Sequence, residues 1–212
     1  MASPIRHLRI MMLAAGKSSR IGSPKFLLPF PDGRPSYVHG VEMIQRAFPD
    51  AGNIWLWLRD PSQLMADDVP KSLHVKLFYE TVHIDHFHLK GVHGLPVNGL
   101  LAAFGIDPTR HWLFIPCDYP LLTMEELRHL RVQYTEPVTC FENGRGLTER
   151  WVSIWGPAAL AHLSENVERG FLDPGRVIQD LKGKRTRPIH TYSLFNTNTK
   201  EEWEEAMSLL AA

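Results

Sequence analysis

The chain is poor in cysteine. Its 212 residues include two, Cys117 and Cys140, too few for a disulfide framework or for a zinc site built on cysteine alone. An excess of charge of one sign is also missing: Lys and Arg together number 23, as do Asp and Glu. A general nucleic-acid binder carries a basic surplus, so that class loses ground, while a local basic patch for a small phosphate is still allowed. No apolar run approaches the ~20 residues of a membrane span. The Met-Ala-Ser-Pro-Ile-Arg-His start has neither the apolar stretch nor the small-residue cleavage site of a secretory signal. Internal repeats, low-complexity tracts and a convincing linker are absent as well. What is present is the balance of an ordinary globule, 44% hydrophobic and 22% charged. A chain this long buries on the order of 70% of its unfolded surface and needs no staple. The expectation is one soluble domain over 1–212, in the reducing cytoplasm, with no membrane or nucleic-acid partner.

Apolar patterning gives the fold class. Residues 8–15 are mostly apolar and stop at Gly16, as a buried parallel strand does. Val38, Val41, Ile44 and Ala47 recur at three-residue steps and predict a helix from about 36 to 48, ended by Pro49. Residues 53–58, 73–79 and 112–116 read as further strands. Residues 98–105 and 123–134 read as helices, the second with Thr123 as N-cap and Glu126 completing a capping box. Strands are expected at 137–141, 151–155 and 187–195, and helices at 157–166 and 174–182. Thr199 opens a last helix whose first turn is acidic, where the helix dipole favours it. Strands alternating with helices predict an α/β three-layer sandwich, Rossmann-like, with a mostly parallel sheet.

The segment Leu13-Ala14-Ala15-Gly16-Lys17-Ser18-Ser19-Arg20-Ile21-Gly22-Ser23-Pro24-Lys25 carries the most chemistry. Small residues let a backbone approach phosphate closely, successive N–H groups make an anion nest, and Arg20 and Lys25 add charge that can hold phosphate oxygens. A Walker A loop would need glycine at Met11, and a dinucleotide fingerprint would need it at Ser18, so both fail. The plain alternative is a polar strand-to-helix loop. A second segment, Ile115-Pro116-Cys117-Asp118-Tyr119-Pro120, follows an expected central strand. A carboxylate there can hold Mg²⁺ together with substrate phosphates; otherwise Asp118 is a turn or capping residue. Asn198-Thr199 reads first as a helix cap, and Gly94-Leu95-Pro96-Val97-Asn98-Gly99 as a loop before a helix.

The run Leu-Ala-Ala-Gly-x-Ser-x-Arg-Ile-Gly-x-Pro-Lys resembles the signature loop of nucleotidyltransferases with the nucleotide-diphospho-sugar transferase fold. Pro116-Cys117-Asp118-x-Pro120 is similar to the segment of molybdenum cofactor guanylyltransferases, the MobA-like group, whose aspartate binds the metal. Asn196-Thr197-Asn198-Thr199 resembles that family's Asn-x-Asn-Thr before the last helix, and Gly94 to Gly99 its stretch toward the nucleotide base. The four matches keep the family's order from residue 10 to 203. The resemblance implies transfer of a nucleoside monophosphate from GTP or CTP to a phosphorylated small acceptor such as molybdopterin, with loss of pyrophosphate. It further implies catalytic roles for Lys25, Arg20 and Asp118, and nucleotide contacts from Leu13, Ala14, Ala15, Gly16, Arg20, Lys25, Gly99 and Asp118. Mg²⁺ would sit on Asp118 and Asn198. Ala15-Gly16 is more similar to the cytidylyltransferase branch, which keeps a CTP enzyme open beside a catalytically silent nucleotide-binding module. The family's asparagine and aspartate after the second and third strands meet Arg59-Asp60 and Glu80 or Asp85 here, and Arg150-Trp151 stand in place of a His-Pro pair.

Residues 80–96 read as a loop with four histidines, His83, His86, His88 and His93. A solvated loop, a lid over substrate and a histidine metal site all fit that composition.

Overall fold

The buried runs become strands because both of their faces find a cover. The computed structural model describes residues 5, 7–16, 20–83, 95–144 and 146–211. In chain order the elements are β1 (Arg9–Leu13), α1 (Ser36–Ala47), β2 (Ile54–Leu58), β3 (Val75–Tyr79), α2 (Glu80–His83) and α3 (Val97–Ile106). Then come β4 (Trp112–Pro116), α4 (Met124–Gln133), β5 (Val138–Glu142), β6 (Thr148–Trp155), α5 (Pro157–Glu168), α6 (Pro174–Asp180), β7 (Lys184–Thr186) and α7 (Lys200–Ala211). The strands form one seven-stranded sheet in the order β3-β2-β1-β4-β6-β5-β7. Pairings among β1, β2, β3 and β4 are parallel, and β6 runs antiparallel to both β4 and β5. The expected mostly parallel α/β architecture is what forms.

Side chains of successive strand residues point to opposite faces, and β1 feeds both cores accordingly. Ile10 and Met12 join Val41, Ile44, Leu127 and Leu130 beneath α1 and α4. Met11 and Leu13 join Trp57, Leu100, Phe114 and Leu160 beneath α3 and α5. Continuous apolar runs, rather than alternating ones, are the mark of a sheet buried on both sides.

Three expectations are corrected. The strand expected over 187–195 does not form: β7 lies earlier, at Lys184–Thr186, and a 3-10 turn occupies Thr191–Leu194. The reason lies on α4. Thr123 Oγ1 accepts the Glu126 N–H at 3.2 Å as expected, but the Glu126 carboxylate does not complete a capping box. Fully buried, it accepts the backbone N–H groups of Ile189 at 3.0 Å and His190 at 2.7 Å, and so takes donors that a strand would need. The reciprocal capping box is on α7 instead. Glu202 N–H donates to Thr199 Oγ1 at 3.2 Å, and Thr199 N–H donates to Glu202 Oε2 at 2.9 Å. Third, the loop expected from residue 80 begins with one helical turn, Glu80–His83. His86, His88, His93 and Asp85 lie outside the described residues, as does the His83 side chain. Among the described residues no group of three or more His, Cys, Asp or Glu side chains gathers as metal ligands do, and no helix is long and apolar enough to cross a membrane.

The β5–β6 ladder contains a large bulge. Cys140 pairs with Ser153, but the next residue, Phe141, pairs with Glu149. Arg150, Trp151 and Val152 are therefore extra residues on β6.

Candidate active site

The carboxyl ends of β1, β2 and β4 open into a cleft of about 380 Å³, where open α/β sheets bind ligands. Its floor is the turn leaving β1. Ala14 N–H donates to the Trp57 carbonyl at 2.8 Å, and Cys117 N–H donates to the Leu13 carbonyl at 3.1 Å. The chain thus stays tied to β2 and β4 for one residue past the strand before it turns. Leu13, Ala14, Ala15, Gly16, Arg20 and Lys25 all line the cleft. Lys17, Ser18 and Ser19 lie outside the described residues.

Lys25 reaches the cleft because its neighbours are pinned. It opens a 3-10 turn, Lys25–Leu27, whose Phe26 is fully buried against Tyr37. Ser36 Oγ, at the start of α1, donates to the Lys25 carbonyl at 3.0 Å. Asp118 is fixed from the other side. Its carbonyl accepts both Thr197 N–H at 2.9 Å and Thr197 Oγ1 at 3.2 Å, and Thr197 is fully buried. That stitch also sets Asn196 and Asn198, which flank Thr197, on the cleft wall.

The side chains converge. Lys25 Nζ lies 2.8 Å from Asp118 Oδ2 and 3.0 Å from Asn198 Oδ1, and Asn198 Nδ2 donates to Asn196 Oδ1 at 2.8 Å. Lys25 and Asp118 are 14% and 17% exposed at their side chains, so water screens the pair only partly. Partly buried pairs add little net stability, because desolvation offsets their attraction; the pairing here serves position. The other carboxylate oxygen, Asp118 Oδ1, is buried with no hydrogen-bond partner among the described residues, an uncommon state for a charged group. Asn198 fills both roles foreseen for its segment, since its backbone leads into the α7 cap while its side chain faces the cleft.

Gly99 does not line the cleft. A Cβ there would stand 2.3 Å from Leu13 Cδ2 and 3.3 Å from Trp57 Cδ1, so its missing side chain lets α3 press Leu13 and Trp57 forward into the wall. Of the residues that follow β2 and β3, Arg59 Nη2 reaches toward the Ala15 carbonyl at 3.5 Å, and Glu80 Oε1 accepts from Asn98 Nδ2 at 2.7 Å in full burial.

Two indoles bound the cleft; the sequence marks Trp151 only as standing where the family has a His-Pro pair, and gives Trp57 no site role. Trp57, 1% exposed, stacks on Phe78 with ring centroids 5.5 Å apart, and its indole N–H has no hydrogen-bond partner among the described residues. Trp151 stands at the opposite end, on the β6 bulge. Both lie in apolar strand runs, which read as core. Behind the bulge, burial pushes the Glu149 carboxyl upward, partly opposed by the Tyr119 hydroxyl and the Trp151 N–H that bond to it. The Tyr119 hydroxyl sits between Glu149 and Asn196, and burial pushes it upward too. Burial and the neighbouring Asp118 charge raise the Cys117 thiol far out of the nucleophilic range. The described cleft residues therefore offer cations, amides and an open carboxylate oxygen.

A family model described as the MobA-like NTP transferase domain matches residues 10–178. The chain belongs to the MobA-like NTP transferase family. No curated protein matches it. Among solved structures it is similar to a nucleotidyl transferase from Methanothermobacter, with a TM-score of 0.70 at 15% identity over 97% of this chain and 98% of that one. It is also similar to the molybdopterin-guanine dinucleotide biosynthesis protein A of Archaeoglobus fulgidus, with a TM-score of 0.68 at 17% identity over 96% and 98%. The 2-C-methyl-D-erythritol 4-phosphate cytidylyltransferase of Thermus thermophilus gives a TM-score of 0.66 at 14% identity over 98% and 100%. At these identities the likeness is one of fold. MobA-like membership makes the chain a nucleotidyltransferase whose substrate class is a nucleoside triphosphate, and its four sequence segments meet at or just behind this one cleft.

Proposed function

We propose that the protein acts as one domain over residues 1–212 and transfers a nucleoside monophosphate from a nucleoside triphosphate to a phosphorylated small molecule, releasing pyrophosphate. The observation that carries this reading is the ammonium of Lys25 held between Asp118 and Asn198 at the mouth of a small-residue loop. The acceptor phosphate attacks the α-phosphorus, and the bond to the bridging oxygen of pyrophosphate breaks. Lys25, Arg20 and the turn that follows Ala14, whose own N–H is taken by the Trp57 carbonyl, hold the triphosphate and neutralise the charge that grows on the leaving group. An ionised acceptor phosphate needs no general base, so the rest of the work is alignment. Nucleotide takes the Leu13–Trp57 end, and the acceptor takes the Trp151–Asn196 end.

The donor set suits Mg²⁺. The ion prefers few protein oxygens and completes its shell with phosphate and water, and the unpartnered Asp118 Oδ1 beside the Asn198 amide supplies such oxygens. A Mg²⁺ ion held there would supply positive charge that offsets that of the phosphates. Asp118 and Asn198 are the residues that would hold it, and the Lys25 ammonium beside them would be the cation for the phosphates.

The Pro-Cys-Asp-x-Pro and Asn-x-Asn-Thr segments favour GTP with molybdopterin as acceptor. Ala15, which packs partly against the α3-side core, favours CTP as the second reading. Pyrophosphate release from GTP, CTP, UTP and ATP, with Mg²⁺ and molybdopterin, decides between them and also excludes or reveals a silent nucleotide-binding module. Asp118→Ala, with its circular dichroism unchanged, is expected to lose turnover; retained turnover would remove Asp118 from the metal role.

A further inference from the structure

The Lys25 ammonium stands against the same two side chains whose oxygens suit a divalent cation. It lies 2.8 Å from Asp118 Oδ2 and 3.0 Å from Asn198 Oδ1. Neither partner is loose. Asn198 Nδ2 donates to Asn196 Oδ1 at 2.8 Å, which keeps the amide oxygen toward the lysine, and Asn198 N–H donates to Glu202 Oε2 at 2.6 Å. Asp118 is stitched to Thr197 through its carbonyl. The Lys25–Asp118 pair is electrically closed, one positive charge against one negative, with side chains 14% and 17% exposed.

A hydrated divalent cation that approaches from solvent therefore meets a neutral pair. Mg²⁺ sheds its water reluctantly and needs strong oxygens in exchange. Asp118 Oδ1 has bonding capacity to spare among the described residues, but it is buried and does not face the incoming ion directly. Two positive groups a few ångströms apart in a partly buried site repel far more than they do in bulk water. Lys25 nevertheless has a way out. Its backbone is pinned by Ser36 Oγ and by the buried Phe26 beside it, while its four-carbon side chain is flexible. Arg20 and the small-residue turn line the same cleft. A triphosphate lying there sets several negative charges against the single one of Asp118, and so draws the ammonium away.

We infer that Lys25 gates the cation site: in the free protein its ammonium closes Asp118 and Asn198 to divalent cations, and a nucleoside triphosphate opens them. This rests on the reading that Asp118 and Asn198 hold a divalent cation, and it adds the order in which the site fills. The cation enters with the nucleotide or after it, not ahead of it. The same ammonium that neutralises phosphate in the loaded cleft thus keeps the free cleft from collecting stray divalent ions.

The test uses Mn²⁺ as the probe, its free concentration read by electron paramagnetic resonance as it is titrated into the full chain without nucleotide. Lys25→Met nearly keeps the length of the side chain and drops its charge. It is expected to bind Mn²⁺ at least about tenfold more tightly than the wild type, a modest share of what one nearby charge does in a partly buried site. Adding Asp118→Asn to Lys25→Met is expected to erase that gain. In a second arm, calorimetry measures the affinity of the wild type for the α,β-methylene analogue of GTP or CTP, whichever raises the melting temperature. Mn²⁺ is expected to tighten the analogue, and Asp118→Asn to lose that coupling, since coupling between two ligands is reciprocal. A nucleotide-free wild type that binds Mn²⁺ as tightly as Lys25→Met would overturn the gate, and so would a gain in Lys25→Met that survives Asp118→Asn. Either result leaves the metal role of Asp118 standing if the coupling in the second arm depends on Asp118. A coupling that is absent, or indifferent to Asp118→Asn, would overturn that metal role and the gate with it. Circular dichroism checks each fold. Should Lys25→Met not fold, Lys25→Gln, whose amide can still donate to Asp118, takes its place under the same criteria.

Discussion

On the β3-β2-β1-β4 side of the cleft every strand pairing is parallel and keeps its register. On the β6-β5-β7 side one strand runs backwards, a bulge interrupts the ladder, and a segment expected as strand is held by a glutamate instead. The regular side presents mostly backbone and small side chains to the cleft, from Leu13 to Gly16. The irregular side presents Trp151 and leads to Asn196 and Asn198. The difference teaches a division of labour. Phosphate is common to every nucleotide, and a regular strand end with a tight turn suffices to bind it. A large side chain set at a particular angle, as Trp151 is, needs irregular backbone to aim it.

Breaking the regular side should have the largest effect. Lys25→Ala removes the cation that links the β1 loop to Asp118 and Asn198. Turnover measured by pyrophosphate release is expected to fall by about 100- to 1000-fold, as when one donor to a developing anion is lost. Near-normal turnover would move the chemistry away from this end. Breaking the irregular side should harm stability more than chemistry. Glu126→Ala leaves the Ile189 and His190 N–H groups without their partner, and a cost of about 2–3 kcal/mol is expected. Differential scanning calorimetry should then show a melting temperature lower by roughly 4–12 °C for a chain of this size.

The smallest effect sharpens the comparison through pH. Burial raises the Glu149 carboxyl above its ordinary value, so the folded state holds that proton more tightly than the unfolded one. Its contribution to stability therefore falls as pH rises from the ordinary carboxylate value through the folded one. Glu149→Gln has no such titration. Melting curves of the two proteins are expected to diverge in favour of the variant as pH rises across that window, by on the order of a degree. Parallel curves would show that Glu149 is solvated, and that the bulge rests on its other ties.

The regular side was legible because local pattern and tertiary role agree there. Residues 8–15, 53–58 and 112–116 are apolar but for Arg9 and Asn53, and a strand buried on both faces demands such a run. Lys25 and Asp118 were legible through the short segments around them, whose small and turn-forming residues leave few conformations open. The irregular side was less so. Ile189 and His190 look like strand residues until a carboxylate some sixty positions earlier claims their N–H groups. Trp151 looks like core because its neighbours Val152 and Ile154 are core. Glu126 stands at the sequence position of a capping box, but its carboxylate bonds Ile189 and His190 instead.

The sequence by itself determined the alternation of strands and helices, the small-residue turn after β1, the acid after β4 and the α7 start, since each depends on residues within a few positions of one another. Only the tertiary structure decided that Lys25 meets Asp118 across 93 positions and Asn198 across 173, that Gly99 works from behind the wall, and that Trp151 leaves the sheet to face the cleft. Such contacts follow from how strands order and stagger within a sheet, and that order minimises the free energy of the whole chain rather than of any one segment.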